Sequence, residues 1–179
     1  VSVSGDDNKY WIERAAGQPI SDFSVSPDAR SAGYERWSRD KLRRWTLHQL
    51  DRHAKNWDHY VDLGCGFGDF TALFGAKAKK VTACDLAPAF AAEAQRRLDA
   101  LGHRDARVLA SDVVSFDDYA DASVVYLGGV LTYLDRDDTL AVLRRLRSRV
   151  TADAIVAQRD WCVIGFGREK VKRGDNKYS

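Results

Sequence analysis

The stretch Val61-Asp62-Leu63-Gly64-Cys65-Gly66-Phe67-Gly68-Asp69-Phe70 sets the reading of the whole chain. It runs from an apolar strand, through three alternate glycines, into the start of an expected short helix. Glycine lacks a Cβ, so this backbone turns tightly and lets a ligand come close, and the helix beyond offers unpaired N–H groups to an anion. In the dinucleotide pattern G-x-G-x-x-G the third glycine would fall on position 69, where Asp69 would instead stand beside a pyrophosphate. A carboxylate is the anion that suits this turn. Asp62, just ahead of the glycines, is placed to pair with a cationic amino group, so the expected ligand carries both ammonium and carboxylate.

About 20 residues on, Val81-Thr82-Ala83-Cys84-Asp85 ends a second apolar strand with an acid, the position from which a carboxylate accepts both hydroxyls of a ribose. Helix-forming sequence follows, so Asp85 reads equally as a helix N-cap. A third strand runs into Ala110-Ser111-Asp112-Val113, where Asp112 is placed to accept a hydrogen bond from an adenine amino group or else to cap a turn ahead of Asp117 and Asp118. Cys65 reads as a small residue contributing its backbone. Three acids at three successive strand ends describe a pocket for an amino acid joined to a nucleoside.

Outward from these motifs, short apolar runs at Tyr60–Leu63, Lys80–Cys84, Arg107–Ala110, Ser123–Leu127 and Ala154–Gln158 alternate with helical patterns. Tyr34, Trp37, Leu42, Trp45, Leu47, Leu50 and Ala54 recur at helical steps and predict a long helix from Tyr34 to about Asn56. A second helix begins near Pro88, and a third carries Leu140, Leu143, Leu146 and Val150, with Asp135, Asp137 and Asp138 at its start and arginines near its end, the order the helix dipole favours. Strands alternating with helices predict an α/β fold: a Rossmann-like, doubly wound three-layer sandwich with a mainly parallel sheet and ligands outside the strands' carboxyl ends. Residues 1–33, rich in Ser, Asp, Gly and Pro, read as an arm of loop or short irregular helix ahead of one domain spanning 34–179. Tyr10 and Trp11 would either close over the pocket as a lid or anchor the arm.

Composition narrows the partners. A net charge of +2 over 179 residues gives no ground for binding nucleic acid or an anionic membrane, and no apolar run approaches the length needed to span a bilayer. Cys65, Cys84 and Cys162 are an odd number without C-x-x-C spacing, which predicts no disulfide framework, no zinc site and a reduced, cytoplasmic setting. His48, His53 and His59 lie on or beside the long helix, are expected to face solvent, and do not converge on a metal.

The chain resembles the class I S-adenosylmethionine-dependent methyltransferases over about Tyr60 to Trp161, with V-D-L-G-C-G-F-G similar to their first motif. The resemblance implies S-adenosylmethionine as cofactor. It puts Asp62, Gly64, Cys65, Gly66 and Gly68 around the methionine portion, Asp85 and Leu86 at the ribose, and Asp112 and Val113 at the adenine. Tyr126-Leu127-Gly128-Gly129 would be the fourth motif, with the backbone of Leu127 and Gly128 beside the methyl acceptor. Enzymes acting on exocyclic base amines carry an Asp or Asn, two prolines and an aromatic residue there, and the cytosine-C5 enzymes carry Pro-Cys; neither is present. The implied acceptor is an O, N or S atom of a small molecule, glycan precursor or peptide end, and nucleic acid is not expected. Family members add a helix and an antiparallel strand pair after the fifth strand, whereas only 162–179 remain here, so those elements are expected to be missing and the bare sheet edge would favour a homodimer.

A sulfonium methyl is already electrophilic, so the protein has chiefly to align an acceptor and exclude water. Tyr133, Arg159 and Asp160, near the expected cleft, are the candidate catalytic residues, with Asp160 placed to hold or deprotonate an acceptor. Their structural alternatives are pairing of Arg159 and Asp160 with each other or with neighbours, and packing of Tyr133 under the next helix. Two other functions stay open: a non-catalytic S-adenosylmethionine-binding protein, and an NAD-dependent oxidoreductase.

Overall fold

The computed structural model describes residues 5–17 and 32–160. The tail from 161 to 179, Cys162 included, and the arm between 18 and 31 lie outside the described residues. The elements are α1 (Gly5–Gly17), α2 (Ala32–His53), β1 (His59–Leu63), α3 (Asp69–Gly75), β2 (Lys80–Asp85), α4 (Pro88–Ala100), β3 (Ala106–Ala110), β4 (Val124–Gly128), a 3-10 turn (Leu131–Tyr133), α5 (Arg136–Arg149) and β5 (Ile155–Arg159).

The five strands form one sheet in the order β3-β2-β1-β4-β5, with every neighbouring pair parallel. β1 and β4 are buried along nearly their whole length, which explains their unbroken apolar sequences, while edge strands β3 and β5 alternate between more and less covered positions. The chain steps from β1 to β2 to β3 on one side and then returns to place β4 on the other side of β1. That reversal opens the switch point between the carboxyl ends of β1 and β4.

Side chains of β1 alternate between two cores. Val61 and Leu63 join Val142 and Leu146 of α5 together with Phe116 and Tyr119 from the β3–β4 connection. Tyr60 joins Leu50 of α2, Phe70 and Phe74 of α3, Leu98 of α4 and Tyr126 of β4. Phe74 makes edge contacts with the rings of Tyr60, Phe70 and Tyr126. α5 is capped by Asp135, whose Oδ1 accepts from the Asp138 amide at 2.8 Å. Its Arg145 serves more than the helix dipole, donating to the backbone carbonyls of Val114 and Phe116 and so tying down the β3–β4 connection.

Several local expectations give way to tertiary packing. α1 is a regular helix of 13 residues, where loop or irregular helix is expected. α2 ends at His53, before Asn56. Trp37 and Trp45 do not share its core face: they are 55% and 62% exposed, and Leu42, Leu47, Leu50 and Ala54 make the contact with the sheet. His59 does not face solvent. It opens β1, is 4% exposed, and donates from Nδ1 to the Ala120 carbonyl while Nε2 accepts from Thr82 Oγ1. A carbonyl only accepts, so this geometry selects the neutral Nδ1–H tautomer, and burial accordingly lowers the His59 pKa.

Phe74→Ala is expected to lower unfolding free energy by about 3–5 kcal/mol, the cost of a cavity among the three rings it meets. Urea unfolding reads this directly, and a loss under about 1 kcal/mol would mean that the ring cluster is not packed as described.

Candidate cofactor site

β1 leaves the sheet into the turn 64–68, where Gly64, Gly66 and Gly68 all have positive φ, at 75°, 55° and 83°. The amides of Gly64 and Cys65 both donate to the Cys84 carbonyl, at 2.8 and 2.9 Å, fixing the turn to the end of β2. A Cβ on Gly64 would collide with Val130 Cγ2, just past β4, and one on Gly68 would lie 2.8 Å from Ala94 Cα on α4. The turn therefore fits only as glycine, with neighbours closing on it from two sides.

Asp85 closes the arrangement. Its Oδ2 accepts from the Gly66 amide at 2.8 Å and its Oδ1 from the Ala87 amide at 2.9 Å, so this carboxyl joins the glycine turn to the end of β2. It is not the N-cap of α4; that position is Ala87, with no side-chain cap. Burial raises the Asp85 pKa, and the two amides oppose that rise.

Asp62 sits on the sheet face covered by α3, 1% exposed, with Oδ2 accepting from Thr71 Oγ1 at 2.7 Å. Desolvation pushes its pKa up to about 7, the hydroxyls of Thr71 and Tyr60 drawing it partly back. The Tyr60 hydroxyl is buried beside it without an aligned hydrogen bond, so the Thr71 bond is the secure one. Asp112 lies two residues beyond β3, and its Oδ1 accepts from the Val114 amide at 2.9 Å, capping its own connection. Among the described residues none of Asp62, Asp85 and Asp112 is in an ion pair. A buried carboxyl, Asp62, and two half-buried ones without cationic partners, near a glycine-built turn, fit a ligand that brings its own positive charge and hydroxyl donors.

On the other side of the switch point, Leu127 is fully buried, and Gly128 ends β4, where a Cβ would come within 2.6 Å of the Tyr126 ring. The Gly129 amide donates to the Arg159 carbonyl at 2.6 Å. Asp160 accepts from the Thr132 amide at 3.2 Å and from Gln158 Nε2 at 2.6 Å, and Arg159 donates to the Tyr126 hydroxyl at 3.3 Å with its guanidinium 5.7 Å from the Phe70 ring centre. No ion pair joins Arg159 to Asp160 among the described residues; each bonds to other neighbours. Tyr133 meets Trp11 of α1 edge-on, ring centres 5.2 Å apart, and Ala15 of α1 packs with Phe67, Ala87 and Phe90. Helix α1 thereby spans from the glycine turn to the candidate catalytic residues. Leu86 and Val113 are half-buried, close behind the ends of β2 and β3.

Sequence reasoning missed Thr71 and, more consequentially, Arg39 and Arg43 of α2, which both bond the Asp69 carboxylate, Arg39 at 2.8 Å. Asp69 is thus neutralised, and its charge no longer argues against an anion at the turn, as the sequence alone suggested. The only signal available was the four-residue spacing of the arginines on a helix; nothing local names their partner. The groove between α2, α3 and α4, lined by Arg43, Leu73, Arg97, Leu101 and His103, borders the turn through Asp69 but contains none of the strand-end acids. No cluster of metal-ligating side chains occurs among the described residues.

With this geometry in place, comparison with known proteins decides the family. The profile described as "Methyltransferase domain" matches residues 61–156, more than half of the chain, from β1 into β5. The chain belongs to the class I S-adenosylmethionine-dependent methyltransferases. S-adenosylmethionine is the cofactor that this methyltransferase domain takes. No curated protein sequence matches it. Among solved structures it is similar to phosphoethanolamine N-methyltransferase 1 of Haemonchus contortus, solved with phosphoethanolamine and S-adenosylhomocysteine, at 18% identity and TM-score 0.71 over 89% of this chain and 32% of that one. It is also similar to the N-methyltransferase NodS of Bradyrhizobium japonicum with S-adenosylhomocysteine, at 18% identity and TM-score 0.62 over 81% of this chain and 68% of that one. A third, an S-adenosylmethionine-dependent methyltransferase of Clostridium acetobutylicum, has 19% identity and TM-score 0.61 over 69% and 52% of the two chains. The methyltransferase chain described here thus spans between about a third and two thirds of the length of these structures.

The elevated pKa of Asp62 has a measurable consequence for stability. Its folded pKa of about 7 lies well above that of an ordinary aspartate, so ionisation costs stability as pH rises from about 4 to 7, and the full penalty is present above that. Asp62→Asn is therefore expected to raise the melting temperature of the ligand-free protein at pH 8, with the gain shrinking as pH falls and vanishing below about pH 4. A gain that does not change with pH would mean that Asp62 stays charged throughout.

Proposed function

We propose that this domain transfers the methyl group of S-adenosylmethionine to an O, N or S atom of a small molecule, glycan precursor or peptide end. The observation that carries the reading is the set of strand-end carboxyls, without ion-pair partners among the described residues, around a glycine turn at the switch point. Asp85, with one lone pair on each oxygen already used by a backbone amide, keeps the others for the two ribose hydroxyls. Asp62 supplies negative charge beneath the turn for the ammonium group, and the backbone of Gly64, Cys65, Gly66 and Gly68 lines the methionine portion. Leu86 flanks the ribose. Asp112, with Oδ1 committed to Val114, offers Oδ2 to the adenine amino group, and Val113 packs against the base.

When bound, the sulfonium supplies an activated methyl and the chain's residues align its acceptor. Leu127 and Gly128 present backbone beside that acceptor, while Tyr133, Arg159 and Asp160 form the wall opposite the glycine turn. Asp160 is the proposed group to orient the acceptor or take its proton. Helix α1, held by Trp11 on Tyr133 and by Ala15 on Phe67, is the proposed cover that excludes water. A similar fold solved with phosphoethanolamine supports a small acceptor, and the absence of a nucleic-acid-type fourth motif argues the same way. Cys65 and Cys84, both free and buried, fit a reducing cytoplasm. Among the described residues no helix is long and apolar enough to cross a membrane. The outer edge of β5, unpaired among those residues, is where a second copy would add in a homodimer.

Calorimetry with S-adenosylhomocysteine tests the cofactor site. Asp85→Ala is expected to weaken binding by about 1–3 kcal/mol, the scale of hydrogen bonds to a charged group. Unchanged affinity in a folded variant removes Asp85 from the pocket, and tight NAD binding with none of the sulfonium nucleoside would overturn the cofactor assignment. For turnover, a panel of small amines, alcohols and thiols is incubated with methyl-labelled cofactor; label transfer to at least one supports the enzyme, and binding without transfer to any favours a non-catalytic role. Affinity should also rise with pH up to about 7, as Asp62 ionises, and that rise should shrink in Asp62→Asn to the part that Asp85 contributes.

A further inference from the structure

Phe67 and Asp69, the residues on either side of Gly68, are both gripped from outside the turn. Arg39 Nη2 and Arg43 Nη1 converge on the two oxygens of Asp69, whose side chain is 10% exposed. The Arg39 guanidinium also lies 5.8 Å from the centre of the Phe67 ring, and Arg97 of α4 lies 4.5 Å from the same ring. Phe67 is 1% exposed and meets Phe90 edge-on. Arg39 and Arg43 stand one helical turn apart on α2, so a single face of that helix supplies both. Arg43 additionally lies 3.7 Å from the more exposed Asp40, a weaker contact that leaves its bond to Asp69 dominant.

Exposed ion pairs contribute little, but two guanidinium groups closing on one covered carboxylate fix its position in direction as well as distance. That matters because the segment between β1 and α3 holds three glycines in the left-handed region, and glycine loses more conformational freedom on ordering than any other residue. A loop ordered only when its ligand arrives subtracts that entropy from affinity, whereas a loop ordered beforehand does not. Both arginines precede residue 61, where the family match begins, so the gripping half of the device lies outside the segment that defines the family.

We propose that Arg39 and Arg43 are positioning residues for cofactor binding: acting through Asp69 and Phe67, α2 pre-orders the 64–68 turn without touching the cofactor. The inference rests on the cofactor site proposed above.

A double-mutant cycle tests it. Arg43→Gln and Asp69→Asn, singly and together, are assayed for S-adenosylhomocysteine affinity by calorimetry, for melting temperature, and for amide hydrogen exchange of residues 64–69 without ligand. Each single variant is expected to raise Kd about tenfold, and the double variant no further than the worse single, because removing either end releases the same turn. Exchange at the turn amides should quicken in all three. Arg43→Lys, which keeps the charge and is the milder change should Arg43→Gln fail to fold, should raise Kd by less than Arg43→Gln or by about threefold at most. Additive losses in Kd, or a lower melting temperature with unchanged Kd and unchanged turn exchange, overturn the proposal. Failure of the wild-type protein to bind the nucleoside would sink the cofactor site instead, while the exchange measurement would still report whether the arginines order the turn.

Discussion

The backbone of residues 64–68 passes so close to Val130 and to Ala94 that a Cβ fits at neither Gly64 nor Gly68. That close approach ties together the parts of the molecule on which a ligand site depends. It draws the exit of β4 against the exit of β1, which defines one wall of the switch point, and brings α4 against the start of α3. The carbonyl of Cys84 and the carboxyl of Asp85 then hold the same turn from β2. Parallel strands make this possible, because they deliver the ends of β1, β2, β3, β4 and β5 to one side of the sheet.

The electrostatics of that side follow from what is left unpaired. Several acids of the domain are matched by lysine or arginine, as at Lys55–Asp153 and Lys79–Asp58. Asp62, Asp85 and Asp112 have no such partner among the described residues, and for the first two burial raises the pKa. Holding carboxyls in this way costs stability in the empty protein and is offset when a cation and hydroxyl donors arrive. Their place beside a glycine turn at a switch point is what supports the cofactor role proposed for them.

The two helical layers contribute unequally. α5 and the β3–β4 connection close one face chiefly by apolar packing around Val142, Leu146, Phe116 and Tyr119. The other layer, α2, α3 and α4, packs the aromatic core and also reaches the site, through Thr71 on Asp62 and through Arg39 and Arg43 on Asp69. α1 joins neither layer and lies across the strand-end side, from Phe67 to Tyr133. Part of the support for the turn, from Arg39 and Arg43, and the packing of α1 from Phe67 to Tyr133 therefore come from chain that precedes the family segment.

Five strands fall within a residue or two of where the sequence puts them, and Pro88 starts α4 as read, because the alternation of apolar runs, glycine turns and helical periods is local information. Asp62, Asp85 and the glycines were legible for the same reason: each is fixed by its place in a strand-turn-helix unit. Tertiary structure alone decided that Trp37 and Trp45 face outward while Leu50 faces in, that His59 is buried between Ala120 and Thr82, and that Asp112 caps its own connection. It alone decided that Asp69 is neutral in effect, since its partner Arg39 lies 30 residues away and only the packing of α2 on the domain brings them together. Local pattern determines which elements form and where backbone must bend, whereas the charge state and burial of a side chain depend on neighbours that the folded chain, and not its order, supplies.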